Sequence, residues 1–414
     1  MIRRIYLFGL LFCGVFSGLC GAESSPAELL AQGRRYFFGE DGKTPNPTLG
    51  AYYYRKAAEA GNVRAQYNFG ACCEHGWGVS RSLQLAYFWY CRAAEQELPE
   101  AVIAKSRLLF NGLAPEKHEQ QDFPALAPDR ETALALLRKT SAAGSGEAAR
   151  ILAANLCLLL GEHPEYGQEI HAQAALAVQR LPRDIEAKLL LATVYQNGIG
   201  GFFKPDLAVA LLEQAAQLGS FEAKSRLAEA LEYGHGCEMD PARSLKLDQE
   251  AAQHQVPRSL LRMGRRFLYG NAVEQDHAKA VAYFQSAFAS AYPGSARMLG
   301  NCFRDGLGVE QNYTAAAAFY ELEAKAQDAA SLYELGNLCR DGLGVEQDFE
   351  KAALCYHQAA QLDYAPAQRE LALALISGRG VKKNVIKAAE LLQLAARSGD
   401  RQAAEILQYN QLEY

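Results

Sequence analysis

The chain has no Cys-x-x-Cys pair, no His-Glu-x-x-His run and no long block of Lys and Arg. The first two absences remove the common zinc-ribbon, redox and zinc-protease signatures, which need ligands at fixed spacing on one turn or helix face. The eight histidines (His75, His118, His163, His171, His235, His254, His277 and His357) are scattered, and the adjacent Cys72-Cys73 suits neither zinc nor a redox motif. The missing basic block, with a formal net charge of −5, argues against nucleic acid, which draws clustered Lys and Arg. Gly-x-Gly turns are frequent, but they follow helical patterns and never extend to Gly-x-Gly-x-x-Gly, so they do not read as a dinucleotide loop. No metal or cofactor is expected, and no nucleophile-base-acid arrangement is readable. The chain reads as a non-enzyme.

Long apolar runs are also short in supply. Ile5 to Leu19 follows Arg3 and Arg4 and precedes the small residues Gly21 and Ala22. It falls short of the ~20 residues of a membrane-spanning helix. This is the pattern of a secretory signal peptide, residues 1–22, cleaved after Ala22. Cys20 raises lipidation, but Leu19 stands before it where lipoprotein signals carry a small residue, so a lipid anchor at Cys20 is disfavoured. Cleavage removes two arginines and no acid, taking the charge from −5 to −7. The expected location is periplasmic or extracellular in a bacterium, or the secretory lumen in a eukaryote. No transmembrane segment is expected in the mature chain.

What the chain has in quantity is repetition. Gly300 to Gln311 reads Gly-Asn-Cys-Phe-Arg-Asp-Gly-Leu-Gly-Val-Glu-Gln; 36 residues on, Gly336 to Gln347 reads Gly-Asn-Leu-Cys-Arg-Asp-Gly-Leu-Gly-Val-Glu-Gln. Weaker copies begin near Ala27, Val63, Glu100, Gly146, Ile185, Phe221, Pro257, Gly294, Ala329 and Ala365, each with two stretches of helical periodicity. A fixed period of this size predicts an all-α solenoid of αα-hairpins, each burying its apolar face against its neighbours. Gly70, Gly264, Gly300 and Gly336 fall mid-helix, where glycine costs about 1 kcal/mol against alanine; their recurrence points to close approach of the partner helix. Paired alanines such as Ala359-Ala360 and Ala395-Ala396 serve the same packing.

Leu-Gly, then Gly-x-Gly-Val, then Lys-Ala and Ala-Ala at this period resembles the Sel-1-like repeat family, relatives of the tetratricopeptide repeat, over roughly residues 27–400. The resemblance implies a right-handed superhelical solenoid and a scaffold or binding role. Some cysteine-rich bacterial relatives are associated with β-lactam hydrolysis or penicillin binding. This chain has no Ser-x-x-Lys after residue 22 and lacks that subgroup's paired cysteine spacing, so that activity is not carried over.

The expected organisation is a signal peptide (1–22), N-terminal repeats (23–112), a divergent stretch with a proline-rich insertion (113–184), C-terminal repeats (185–400) and a capping helix (401–414). The insertion, Leu113 to Glu131 with Pro115, Pro124 and Pro128, reads as an extended loop. Residues 146–184 read either as a degenerate repeat or as a break between two stacks, 27–112 and 132–400. Cys339 with Cys355, and Cys72 or Cys73 with Cys91 (Cys73–Cys91 preferred), are the disulfide candidates, since each would join the two helices of one hairpin. Small hydrophobes in helix interfaces is the competing reading.

The expected function is an exported, non-catalytic scaffold that binds a protein or peptide on the concave face lined by the first helices. Arg265, Asn301 and Asn337 hold equivalent places there, with Arg304 and Arg340 one turn on. Amides pair with an extended backbone and guanidinium forks hold carboxylates. Arg304-Asp305 and Arg340-Asp341 equally suit a solvated helix end. Trp77, with Tyr52-Tyr53-Tyr54 and Tyr87-Phe88-Trp89-Tyr90, supplies candidate aromatic anchors, because consecutive aromatics on a helix cannot all face inward. The alternative is a secreted hydrolase or cell-wall-acting protein with a site around His75, His235 or the insertion.

Overall fold

The computed structural model describes residues 24–42, 44–114, 116–118, 121–123 and 125–409. The expected signal peptide, with Cys20, and residues 410–414 of the expected closing helix lie outside them. Among the described residues are twenty-one α-helices, which pair as antiparallel hairpins and pack on their sequence neighbours as an all-α solenoid.

The chain divides into two compact units at Pro182/Arg183. The first holds four hairpins: Pro26–Phe38 with Pro47–Glu59, Val63–His75 with Leu83–Glu95, Pro99–Asn111 with Arg130–Ala142, and Gly146–Leu159 with Gly167–Arg180. The second holds six: Ile185–Asn197 with Pro205–Gln217, Phe221–Tyr233 with Pro241–Gln253, Pro257–Tyr269 with His277–Ala289, Ser295–Asp305 with Tyr313–Lys325, Ala329–Asp341 with Phe349–Gln361, and Ala365–Ser377 with Val385–Arg397. Helix Arg401–Tyr409 packs on the last of these. The hairpins are numbered one to ten below.

The insertion differs from the extended loop expected of it. Strands β1 (Glu116–His118) and β2 (Gln121–Phe123) pair antiparallel, and Leu113 bridges Leu126. The Asp129 amide then donates to the Leu109 carbonyl, so the excursion closes on itself and hairpin three stays intact.

Caps and turns set the hairpin geometry. Asp240, Asp276, Asn312, Asp348 and Asn384 each cap a second helix by accepting from its third residue, an interaction worth about 1 kcal/mol apiece. The Gly-x-Gly turn has two jobs. In hairpin nine, Gly342 ends the first helix in the left-handed region at φ 69°. Gly344, also left-handed, lies against the backbone of Tyr313 and Thr314 in the preceding hairpin, where a Cβ has no room. Gly236, Gly308 and Gly380 meet the preceding hairpin in the same way.

The mid-helix glycines explain the core. A Cβ on Gly33, Gly70, Gly264, Gly300 or Gly336 would strike the ring of Tyr54, Tyr90, Phe284, Tyr320 or Tyr356 respectively, in the same hairpin's second helix. All five rings are buried. At the same two register positions hairpins five and ten carry Ala192 with Leu212 and Ala372 with Leu392, again buried. In these seven hairpins the rule is glycine under an aromatic and alanine beside a leucine. Hairpin six breaks it with Ala228 and Asp248.

None of the eight described cysteines is in a disulfide. The pairings considered above, Cys73–Cys91 and Cys339–Cys355, are not formed. Cys339 and Cys355 sit together in one hydrophobic core. Burial, then the neighbouring Cys339, pushes the Cys355 thiol up to about 11. Burial alone pushes Cys72 up to about 12. Such thiols pack as small hydrophobes and are poor nucleophiles.

Candidate functional site

The first-helix face of the second unit carries the sequence-predicted positions. Asn301 and Asn337 accept hydrogen bonds from the phenols of Tyr320 and Tyr356, each at 2.8 Å. Each amide thus satisfies the hydroxyl of the ring that covers the preceding glycine. Burial raises the pKa of both phenols, so each stays a neutral donor. Hairpin seven has Phe284 in that place, with no hydroxyl to satisfy, and its equivalent residue, Arg265, is exposed with no ion-pair partner among the described residues.

Arg304 and Arg340 are engaged twice each. Arg304 forks onto Asp305 at 2.8 Å and pairs with Glu334 at 2.8 Å. Arg340 forks onto Asp341 and reaches Glu370 at 3.0 Å. Hydrogen bonds to the adjacent aspartates raise both guanidinium pKa values, and Arg340 in turn lowers that of Asp341.

The Arg304–Glu334 and Arg340–Glu370 pairs join residues 30 apart, one hairpin to the next. The same rung recurs with reversed polarity upstream: Gln196 accepts from Arg226, and Glu232 lies 3.9 Å from Arg262. Between the two polarities the equivalent residues are the buried, apolar Leu268 and Met298. The face therefore carries a ladder of cross-repeat contacts that reverses sign at an apolar rung. Both members of the Arg304–Glu334 pair are about three-quarters buried, so a double-alanine cycle read by urea unfolding is expected to give a coupling of about 0.5–1 kcal/mol. A coupling of zero would make the rung ornamental.

Sequence reasoning missed the strongest polar cluster. Asp248, fully buried in hairpin six, takes bonds from Arg262 (Nε 2.9 Å, Nη2 2.6 Å) and from the Ser259 hydroxyl at 2.7 Å. Arg266 stands 3.5 Å from Asp248 and 3.2 Å from Glu232, and donates to Ser244. Glu229 holds Arg258 at 2.7 Å and Arg262 at 3.2 Å. Three carboxylates thus face three guanidinium groups. Burial pulls the Arg262 pKa down, but the hydrogen bond and charge of Asp248 lift it above its ordinary value. The signal was present: a carboxylate at the register position where five other hairpins carry an aromatic.

In the first unit Trp77 is half-exposed. It stacks on His75 at 4.3 Å and meets the edge of Phe37 at 6.0 Å. Tyr52 is exposed, whereas Tyr54, Trp89 and Tyr90 are core. His75 and His235 belong to different units. Among the described residues no group of three or more His, Cys, Asp or Glu side chains is placed to hold a metal ion, and no helix is long and apolar enough to cross a membrane.

Hairpins stacked at a 36-residue period, with glycine-on-ring cores and Gly-x-Gly turns, define a helical-repeat solenoid of the protein-interaction class. The Sel1 repeat model matches residues 28–62, 63–98, 185–220, 221–255, 257–291, 293–328, 329–364 and 365–400, and the chain belongs to that family. Residues 99–184, between the matched blocks, form hairpins three and four without matching. The mouse protein described as DAP3-binding cell death enhancer 1 is 31% identical over 181 residues, 44% of this chain and 33% of that protein. Its rat counterpart is 29% identical over the same share. The matched stretch thus spans about a third of these relatives' length. Among solved structures, c5321, a protective antigen of uropathogenic Escherichia coli with an SLR fold, superposes with a TM-score of 0.67 at 21% identity, covering 92% of this chain and 78% of that one. A Sel1 repeat protein from Oxalobacter formigenes gives 0.52 at 23%, covering 57% and 100%. These likenesses concern the fold.

Proposed function

We propose that the chain is an exported, non-catalytic scaffold whose second unit binds a protein or peptide on the face made by its first helices. The observation that carries this reading is Arg265. It is an exposed guanidinium with no internal partner among the described residues, on a face where Arg304 and Arg340 are already committed to carboxylates. Arginine is a favoured anchor at interfaces because its planar fork holds carboxylates and stacks on rings. Of the positions considered from the sequence, Asn301, Asn337, Arg304 and Arg340 act in this reading as the frame that presents Arg265, and Trp77 is a separate anchor on the first unit. The mouse relative's name describes it as DAP3-binding, which supports a protein as the kind of partner. The N-terminal Arg3-Arg4, the apolar stretch and the small residues at Gly21-Ala22 support export to a periplasmic, extracellular or luminal compartment.

The test is affinity capture from the native compartment with residues 23–414, beside Arg265→Glu. A protein retained by the first and reduced on the order of tenfold or more by the second, at unchanged melting temperature, is the expected result. Equal retention, or none by either chain, would overturn the reading.

A further inference from the structure

The turn edge of the second unit, where each first helix hands over to its second, departs from its own repeat rule at consecutive hairpins. In hairpins two, seven, eight and nine the fifth residue after the helix-ending glycine donates a bond back to the carbonyl seven residues earlier. Arg81 Nε reaches Glu74 at 3.0 Å, Gln275 reaches Leu268 at 2.8 Å, Gln311 reaches Arg304 at 2.8 Å and Gln347 reaches Arg340 at 3.0 Å. In hairpins five and six that position is held by Phe203 and Met239, whose side chains cannot donate. They are 67% and 64% exposed. On the same edge the last residues of two first helices, Tyr233 and Tyr269, are 51% and 58% exposed. Single exposed apolar residues are ordinary. Four at neighbouring register positions on one edge, two in place of a structural donor, are more than chance scatter explains, and exposed apolar surface so concentrated marks interaction sites.

One residue before that position the edge is acidic. Glu238, Glu274, Glu310 and Glu346 recur at 36-residue spacing, all exposed and none with an ion-pair partner among the described residues. Glu346 also lines a cleft of about 670 Å³ with Asp348, Phe349, Glu350 and Lys351. Lys351 is already held by Glu321 at 3.2 Å, so the cleft keeps a surplus of negative charge.

We propose that this edge, residues 197–351, docks an extended, basic protein segment that carries a large apolar or aromatic residue at one end. The apolar end seats on Phe203, Met239, Tyr233 and Tyr269, and the basic remainder runs along the glutamate series toward the cleft. An extended chain rises about 3.3 Å per residue, and neighbouring helices pack about 8–10 Å apart. A cationic side chain at roughly every third residue therefore meets successive glutamates. The charge sign excludes nucleic acid as the occupant, since phosphate would be repelled. The inference goes beyond the binding reading proposed above: it rests on none of Arg265, Asn301, Arg304, Asn337 and Arg340, and either can fail alone.

The chain itself offers one competing occupant. In hairpin ten Lys382 and Lys383 stand where hairpins seven, eight and nine carry Glu and Gln, beside the exposed Val385 and Ile386, so a second copy has a basic, apolar turn of its own.

The test uses residues 23–414 and two fluorescein-labelled probes of about 14 residues. Each carries Lys at every third position in a Gly-Ser background, with Trp-Leu at one end or the other. Anisotropy is expected to show saturable binding of at least one probe, weakening as salt rises. Glu274→Lys with Glu310→Lys should weaken it at least about tenfold. Phe203→Gln with Met239→Gln, which restores the bond donors, should also weaken it by about tenfold. Melting curves of each variant, expected to match the parent, separate lost docking from lost fold. No saturable binding, or binding indifferent to both double variants, overturns the proposal. So does concentration-dependent self-association in sedimentation that Lys382→Glu with Lys383→Glu abolishes, because the surface then belongs to a second copy.

Discussion

Asp248→Ala is expected to destabilise the second unit by about 3–5 kcal/mol. The reason is what remains rather than what is removed. Arg262 and Arg266 are 8% and 4% exposed, and Asp248 is the fully buried carboxylate they share. Without it, one guanidinium leans on the partly exposed Glu229 and the other on Glu232. A buried charge without its counter-charge bears its whole desolvation cost. Asp248→Asn should fall between the two, keeping an acceptor for Ser259 and Arg262 but losing the charge. Urea unfolding of the second unit reads both, and an unchanged midpoint for the alanine variant would remove the cluster from the account of stability. In a repeat array a weakened layer lowers cooperativity between its flanks. The alanine variant should therefore also broaden the transition or split it. A contrasting variant follows from the neighbouring hairpins. Ala228→Gly, Asp248→Phe, Arg262→Met and Arg266→Leu together rebuild the glycine-on-ring core and should be neutral or stabilising, since well-packed apolar replacements of buried ion pairs often are.

Much of the hairpin pattern was legible because it is local. Glycine recurring mid-helix, Gly-x-Gly after it and paired alanines at the second helix's end are read within one period. The close approach inferred at Gly264, Gly300 and Gly336 is present, with Phe284, Tyr320 and Tyr356 as the approaching groups. What escaped were contacts between distant residues. Asn301 and Asn337 looked like an open ladder because their phenol donors lie 19 residues away, and Arg304 and Arg340 because Glu334 and Glu370 lie 30 away. The second turn glycine answers to more than its own turn: at Gly308 and Gly344 the backbone of the preceding hairpin sits against it. Asp248 was passed over for a different reason: attention to what recurs hides the residue that breaks the recurrence. The same habit hid Phe203 and Met239. In a repeat protein the fold is carried by the rule, and its departures are where a site is to be sought.

Gly336→Ala should cost about 1–3 kcal/mol, although alanine is by far the better helix former. An added Cβ would lie 2.6 Å from Tyr356 Cε1 and 2.8 Å from Cδ1. The ring has little freedom to yield, because it is 3% exposed and its hydroxyl is tied to Asn337 at 2.8 Å. Relief would require breaking that bond or shifting the second helix, and either disturbs the packed layer beyond it. The chain contains the control. Hairpins five and ten are built with alanine at this position and leucine opposite, Ala192 with Leu212 and Ala372 with Leu392. Adding Tyr356→Leu to Gly336→Ala should therefore recover most of the loss. Tyr356→Leu alone should destabilise, since it leaves a void above Gly336 and strips Asn337 of its donor. The double variant should thus be more stable than the sum of the singles by more than about 1 kcal/mol. Chemical unfolding of the four proteins measures that coupling directly. Additive losses would mean that the glycine and the ring are not a unit, and the packing rule drawn from five hairpins would fail at hairpin nine.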